Sequence, residues 1–146
     1  MYRVVYTSTA RSLMNERELQ QILRSARRNN ALDLITGMLI YHEGCFLQVL
    51  EGPKAQVEKC YAKIQKDSRH QGCITLANDY TVSRLFSEWW MSYRTVGDLA
   101  SFQKKQFLSL QHLAEKARDG EFISDLKTNA LLLAFLSAFR DLEMTA

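Results

Sequence analysis

Residues 35–64 read ITGMLIYHEGCFLQVLEGPKAQVEKCYAKI, and this stretch holds two strands, the turn between them and the start of a helix. The strands, about Ile35 to His42 and Cys45 to Leu50, meet at Glu43-Gly44, a short glycine-containing connection that predicts a hairpin. In the second strand Phe46, Gln48 and Leu50 share one face, with Cys45, Leu47 and Val49 on the other. Gly52-Pro53 then opens a helix, with Pro53 at its first position, where a missing N–H does no harm. Its buried stripe is Val57, Cys60, Tyr61 and Ile64.

Working outward, Tyr2 to Ser8 reads as a strand with Tyr2, Val4, Tyr6 and Ser8 on one face. A helix follows, opened by Asn15 and Glu18 as a capping box and striped by Leu19, Ile22, Leu23 and Ala26. Downstream, Gly72 separates the second helix from a strand near Cys73 to Tyr80, and a further strand covers roughly Trp89 to Thr95. The order is βαββαββ. Its first six elements match the ferredoxin-like βαββαβ sandwich, so the fold class is α+β with an added fifth strand. After Gly97-Asp98 the pattern turns helical, about 98–117 and 122–142, split at Asp119-Gly120. The expected division is a domain at 1–97 and a C-terminal helical extension at 98–146 packing on the sheet's second face.

Composition narrows the function. The chain has 146 residues, 47% of them hydrophobic, and a formal charge of +3, too weak for a nucleic-acid signature. The longest apolar stretch, Ala130 to Phe139, falls well short of the roughly 20 residues a membrane span needs. Cys45, Cys60 and Cys73 form no metal-ligand spacing, and His42, His70 and His112 are scattered, so no metal site is expected. Reduced thiols and the absence of a signal-peptide pattern point to the cytoplasm.

Three polar residues stand where the pattern wants apolar ones. Extending the first helix's stripe from Leu19 by eleven lands on Asn30. Gln48 is flanked on its own face by Phe46 and Leu50, and Tyr6 lies mid-strand beside Val4. A buried amide without partners costs about 1–3 kcal/mol, so each must bond to something. Together they suit a planar, hydrogen-bonding ligand. A flavin ring edge, with acceptors alternating around a donor, is answered by primary amides, and its flat body by Ile22 and Ile64. Periodicity alone does not select flavin over another planar heterocycle.

The chain resembles the BLUF domains, flavin-binding blue-light receptors, and most of all the short stand-alone (PixD-like) type. The resemblance covers roughly residues 2–95. It rests on Tyr6 in Arg3-Val4-Val5-Tyr6-Thr7-Ser8, then Asn29-Asn30, Ile35-Thr36-Gly37, Phe46-Leu47-Gln48-Val49-Leu50-Glu51-Gly52, Asp67-Ser68-Arg69-His70 and Trp89-Trp90-Met91. It implies a flavin, usually FAD with FMN possible, between the two helices of the ferredoxin-like half. Asn30 would bond its C4=O and N3 edge. Asp67 and Lys63, four apart on one helical face, would address N3 and C2=O. The family often has arginine at the Lys63 position; lysine keeps the charge but loses the planar fork. Gln48 would sit between the Tyr6 hydroxyl and the flavin N5/C4=O edge, flanked by Trp89 and Met91 on one face of the last strand. Asn29, Arg69 and His70 would be structural or near the ribityl chain.

The implied activity is light sensing without catalysis. Excitation draws an electron and a proton transiently from Tyr6, and Gln48 ends rearranged, with a red-shifted flavin. Output would pass to a downstream regulatory protein or through a homo-oligomer, with neither nucleic acid nor membrane as a partner. Two rival readings are a small flavin-dependent oxidoreductase, which would use the same residues, and a ferredoxin-like RNA-binding module. The chain lacks that module's glycine- and aromatic-rich contact motif, and Arg24, Arg27 and Arg28 read as a solvated helix face.

Overall fold

Two residues turn the central hairpin: Glu43 and Gly44 both have positive φ, 48° and 83°, the pattern of a two-residue primed turn that matches strand twist. In the computed structural model, which describes residues 1–86, 91–118 and 130–137, this turn joins β2 (Thr36–His42) to β3 (Cys45–Gly52). β3 pairs antiparallel on its other side with β1 (Tyr2–Ala10), setting Tyr6 opposite Gln48. β4 (His70–Tyr80) pairs antiparallel with β1. β5 (Ser92–Thr95) lies parallel to β2 on the far side, giving the order β4-β1-β3-β2-β5. The first four strands keep the ferredoxin-like order, and the fifth extends the sheet beyond β2. The connection from β4 to β5 therefore crosses from one edge of the sheet to the other.

Alternation along β3 sorts the core into two layers. Phe46 and Leu50 face α1 (Glu16–Leu32) and α2 (Lys54–Gln65), packing with Val4, Leu19, Leu23 and Val57. Leu47 and Val49 face the opposite way, against Phe107 and Leu110 of α3 (Ser101–Arg118) and Leu132, Phe135 and Leu136 of a helical stretch at 130–137. Leu47, Val49 and Leu50 are fully buried, each contributing about 1.5–3 kcal/mol of transfer free energy. Among the described residues no helix is long and apolar enough to cross a membrane.

Helix ends follow local chemistry. Asn15 caps α1, its side chain accepting the Glu18 N–H at 2.9 Å. At the other end no glycine is present: Leu34 itself takes the left-handed conformation at φ 59°. The Ile35 N–H then reaches back to the Asn30 carbonyl at 2.9 Å, closing the helix as a Schellman turn.

Three boundary expectations are corrected. Pro53 is the N-cap of α2 rather than its first helical residue; its extended backbone still spares the helix a lost hydrogen bond. Gly72 lies inside β4 at φ 64°, where pairing with β1 slips between Thr7 and Thr9, so it makes a bulge rather than a boundary. The last strand begins at Ser92, after Met91; Trp89 lies outside the described residues. So does the Asp119-Gly120 split between the C-terminal helices.

Candidate functional site

Between α1, α2 and the middle of the sheet lies a cavity of about 220 Å³. A void of about 150 Å³ admits benzene, so this one has room for the inner part of a fused ring system. Tyr6, Gln48 and Asn30 reach it from β1, β3 and α1, and all three are buried, at 3%, 6% and 3% exposure. Ile22 and Ile64, half-buried on the two helices, supply apolar walls. Asn29, Lys63, Asp67, Arg69 and His70 also line it. The backbone thus gathers the described sequence-derived residues around one cavity, except that Met91 stands directly behind Gln48; Trp89 lies outside the described residues.

The inner end of the cavity is a short hydrogen-bonded chain. The Tyr6 hydroxyl donates to Gln48 Oε1. The Gln48 amide nitrogen points the other way, donating to Met91 Sδ at 3.4 Å. Burial pushes the Tyr6 phenol well above its usual range, so it stays protonated and keeps donating. A second phenol, Tyr61, stacks beside Tyr6 with ring centroids 5.0 Å apart and bonds through its hydroxyl to Thr75 Oγ1 at 2.7 Å. The Cys60 thiol faces Asn30 Oδ1 at 3.9 Å, and burial raises its range, which disfavours the thiolate.

The outer end is polar. Asp67 does not share a helical face with Lys63, because α2 ends at Gln65 and Asp67 lies in the following turn. Its carboxylate is held by Arg69 through Nε at 3.0 Å and Nη2 at 2.6 Å, and by the Arg69 N–H at 2.9 Å. The Arg69 side-chain bond draws the carboxyl below its ordinary range, against the opposing effect of burial. His70, 8% exposed, has Nδ1 2.8 Å from Ser8 Oγ and Nε2 bonded to the Ile64 carbonyl, which ties the turn to β1.

Several contacts were not anticipated. Arg27, expected on a solvated face, donates from Nε to the Met91 carbonyl at 2.9 Å; its long side chain reaches across to the sheet edge. Glu51 is fully buried, 3.4 Å from Arg3 Nη2, and accepts the Leu85 N–H at 2.9 and 3.1 Å. A signal for it was available: period two puts an acid on the same face as Leu47 and Val49. No spacing pattern predicts Arg27, whose partner is a backbone atom 64 residues away.

The residues fit a flavin. Buried amides with both donor and acceptor capacity stand beside a protonated phenol, with flat apolar walls and a polar mouth. Among the described residues no three metal-ligating side chains cluster. Comparison with known proteins agrees. The chain is 38% identical over 104 residues to a photoactivated adenylate cyclase subunit beta of Euglena gracilis, covering 70% of this chain and 12% of that protein. It is 32% identical over 85 residues to the blue light- and temperature-regulated antirepressor BluF of Escherichia coli, covering 58% and 21%. The chain thus spans only a minor part of these relatives. Among solved structures, the photo-activated state of BlsA superposes with a TM-score of 0.73 at 28% identity, covering 95% of this chain and 94% of that one. The dark-state structure of BlrB, a BLUF protein, gives 0.72 at 25%, covering 94% and 95%. Residues 1–92 match the family model described as sensors of blue light using FAD, and the chain belongs to that family, BLUF.

Proposed function

We propose that the cavity holds an oxidised flavin, FAD as in the family description, and that Tyr6 and Gln48 form its light switch. The observation that carries this is the buried chain Tyr6–Gln48–Met91, in which a single amide has a hydroxyl on one side and a thioether on the other. Asn30 would hold the ring's polar edge, with Asn29, Lys63 and Asp67 toward the mouth, Arg69 and His70 fixing the turn, and Ile22 and Ile64 on its flat faces. When bound and excited by blue light, a flavin supplies a strong one-electron oxidant.

The chain's own part is proton and amide control. Tyr6, kept neutral by burial, gives up an electron together with its hydroxyl proton and recovers both, so nothing is consumed. Gln48 Oε1 already accepts that proton's hydrogen bond and is placed to take the proton during the excursion. When the electron returns, the amide has exchanged its partners, by rotation or tautomerisation, and no longer presents the same nitrogen to Met91 Sδ. A buried amide has few satisfied arrangements, so the network is bistable. Trp89, which lies outside the described residues, would join Met91 as a photoactive residue.

Output follows from the position of β5. Met91 leads into β5, and a 3₁₀ turn at Val96–Asp98 connects β5 toward α3. We assign 1–97 to the sensor and 98–146 to the extension that conveys its state to a regulatory protein or to another copy of the chain. In this reading the chain turns over no substrate and works in the cytoplasm. The relatives' names, a cyclase subunit and an antirepressor, suit a sensor whose output is a change in protein contacts.

The test is to incubate the purified chain separately with FAD and FMN, remove excess, and record absorption before and after blue light. The expected result is a yellow protein, retaining FAD better, whose band moves reversibly to longer wavelength. A folded protein that retains neither flavin would refute the assignment.

A further inference from the structure

The connection from β4 to β5 is tied at both ends, but unequally. At its start Arg84 donates to Leu34 O at 2.7 Å, Thr36 Oγ1 at 2.8 Å and Glu51 O at 3.0 Å, and the buried Glu51 carboxylate takes the Leu85 N–H. These bonds converge on the β2 and β3 ends, so the start stays put when one amide elsewhere changes partner. At its end, among the described residues, two side-chain hydrogen bonds reach Met91: the weak N–H···S contact from Gln48, and the Arg27 Nε bond to its carbonyl. Once Gln48 withdraws its nitrogen from the sulfur, Arg27 is the remaining one of that pair, and it holds the peptide at which β5 begins.

We propose that Arg27 is a positioning residue of the light switch. Through the Met91 carbonyl it keeps the thioether seated against Gln48 and β5 in its dark register, and so sets how fast the rearranged network returns. Arg27 is not among the residues lining the cavity; it acts through Met91. The inference rests on reading Gln48 as the switching amide. Arg27 is exposed on α1, so its replacement leaves the core intact.

The experiment compares the flavin-loaded chain as wild type, Arg27→Ala and Arg27→Lys. Flavin content, the light-induced shift, the dark recovery rate and amide exchange at 91–95 are measured in each. Arg27→Ala should keep the flavin and the shift, recover about threefold or more slowly, as loss of one hydrogen bond predicts, and lose dark-state protection at 91–95. Arg27→Lys, which can still donate to the carbonyl, should restore most of both. An alanine variant with wild-type recovery and protection, whatever its melting temperature, would overturn the inference. A wild type that binds flavin and shows no shift would refute the reading of Gln48 and this inference with it.

Discussion

Replacing Tyr6 by phenylalanine removes one oxygen from a residue that is 3% exposed. The ring keeps its neighbours, Tyr61 at 5.0 Å and His70 at 6.5 Å between centroids, so packing is unchanged. What is lost is the donor to Gln48 Oε1, an acceptor buried beneath the two helices. A lost hydrogen bond that strands a buried partner costs about 1–3 kcal/mol. With a urea slope of about 2 kcal/mol per molar for a small domain, a mid-range cost of about 2 kcal/mol lowers the unfolding midpoint by about 1 M at constant slope. Adding Gln48→Leu removes the stranded partner, so the double variant should be about 1–2 kcal/mol more stable than the two single costs predict. Urea unfolding followed by circular dichroism, with the same saturating flavin throughout, measures all four corners of the cycle. Under blue light the Tyr6→Phe protein should hold its flavin and show no red shift. A midpoint unchanged from wild type, together with an additive cycle, would show that the Tyr6–Gln48 bond does not form and would refute the reasoning.

Leu34→Gly should raise stability by about 0.5–1 kcal/mol, because relief of the left-handed strain at φ 59° exceeds the entropy of an added glycine; a raised melting temperature checks it. Gly37→Ala should cost about 3 kcal/mol or more, since a Cβ there would lie 1.9 Å from the Val49 carbonyl oxygen, which is backbone and cannot step aside. Thermal unfolding of that variant, against the wild type, decides the point. Glu51 gives a pH signature: burial raises its range, with Arg3 and the Leu85 amide pulling it back. Its contribution to stability is therefore full below the ordinary carboxyl range, about pH 4.3, and is lost as pH rises through the raised value. The melting temperature of wild type relative to Glu51→Gln should fall across that window, and parallel curves would contradict the assignment.

The fold was legible wherever alternation and turn chemistry agreed. β3 carried opposite faces into two separate cores, and Glu43-Gly44 turned as its composition predicts. Legibility failed where backbone geometry, rather than side-chain pattern, decides. Leu34 closes α1 without a glycine, Gly72 bends a strand instead of ending it, and Asp67 lies just past the end of the helix that its spacing from Lys63 suggested. The candidate site divides the same way. Tyr6, Asn30 and Gln48 were visible as polar breaks in apolar stripes, because burial makes such residues costly unless bonded. Arg27 and Arg84 were not, because their partners are carbonyl oxygens, which every residue carries. Choosing flavin rather than another planar ring needed the ordered set of motifs, since amide chemistry alone serves many heterocycles.

Gln48 as the switching amide is tested most directly by the light-minus-dark absorption spectrum of the flavin-loaded Gln48→Leu protein. Leucine keeps most of the buried volume beside Phe46 and Leu50 while removing both the acceptor for Tyr6 and the donor to Met91. The predicted result is a protein with bound oxidised flavin and no reversible red shift, where the wild type shows one. A Gln48→Leu protein that shifts to the red and recovers as the wild type does would contradict the claim.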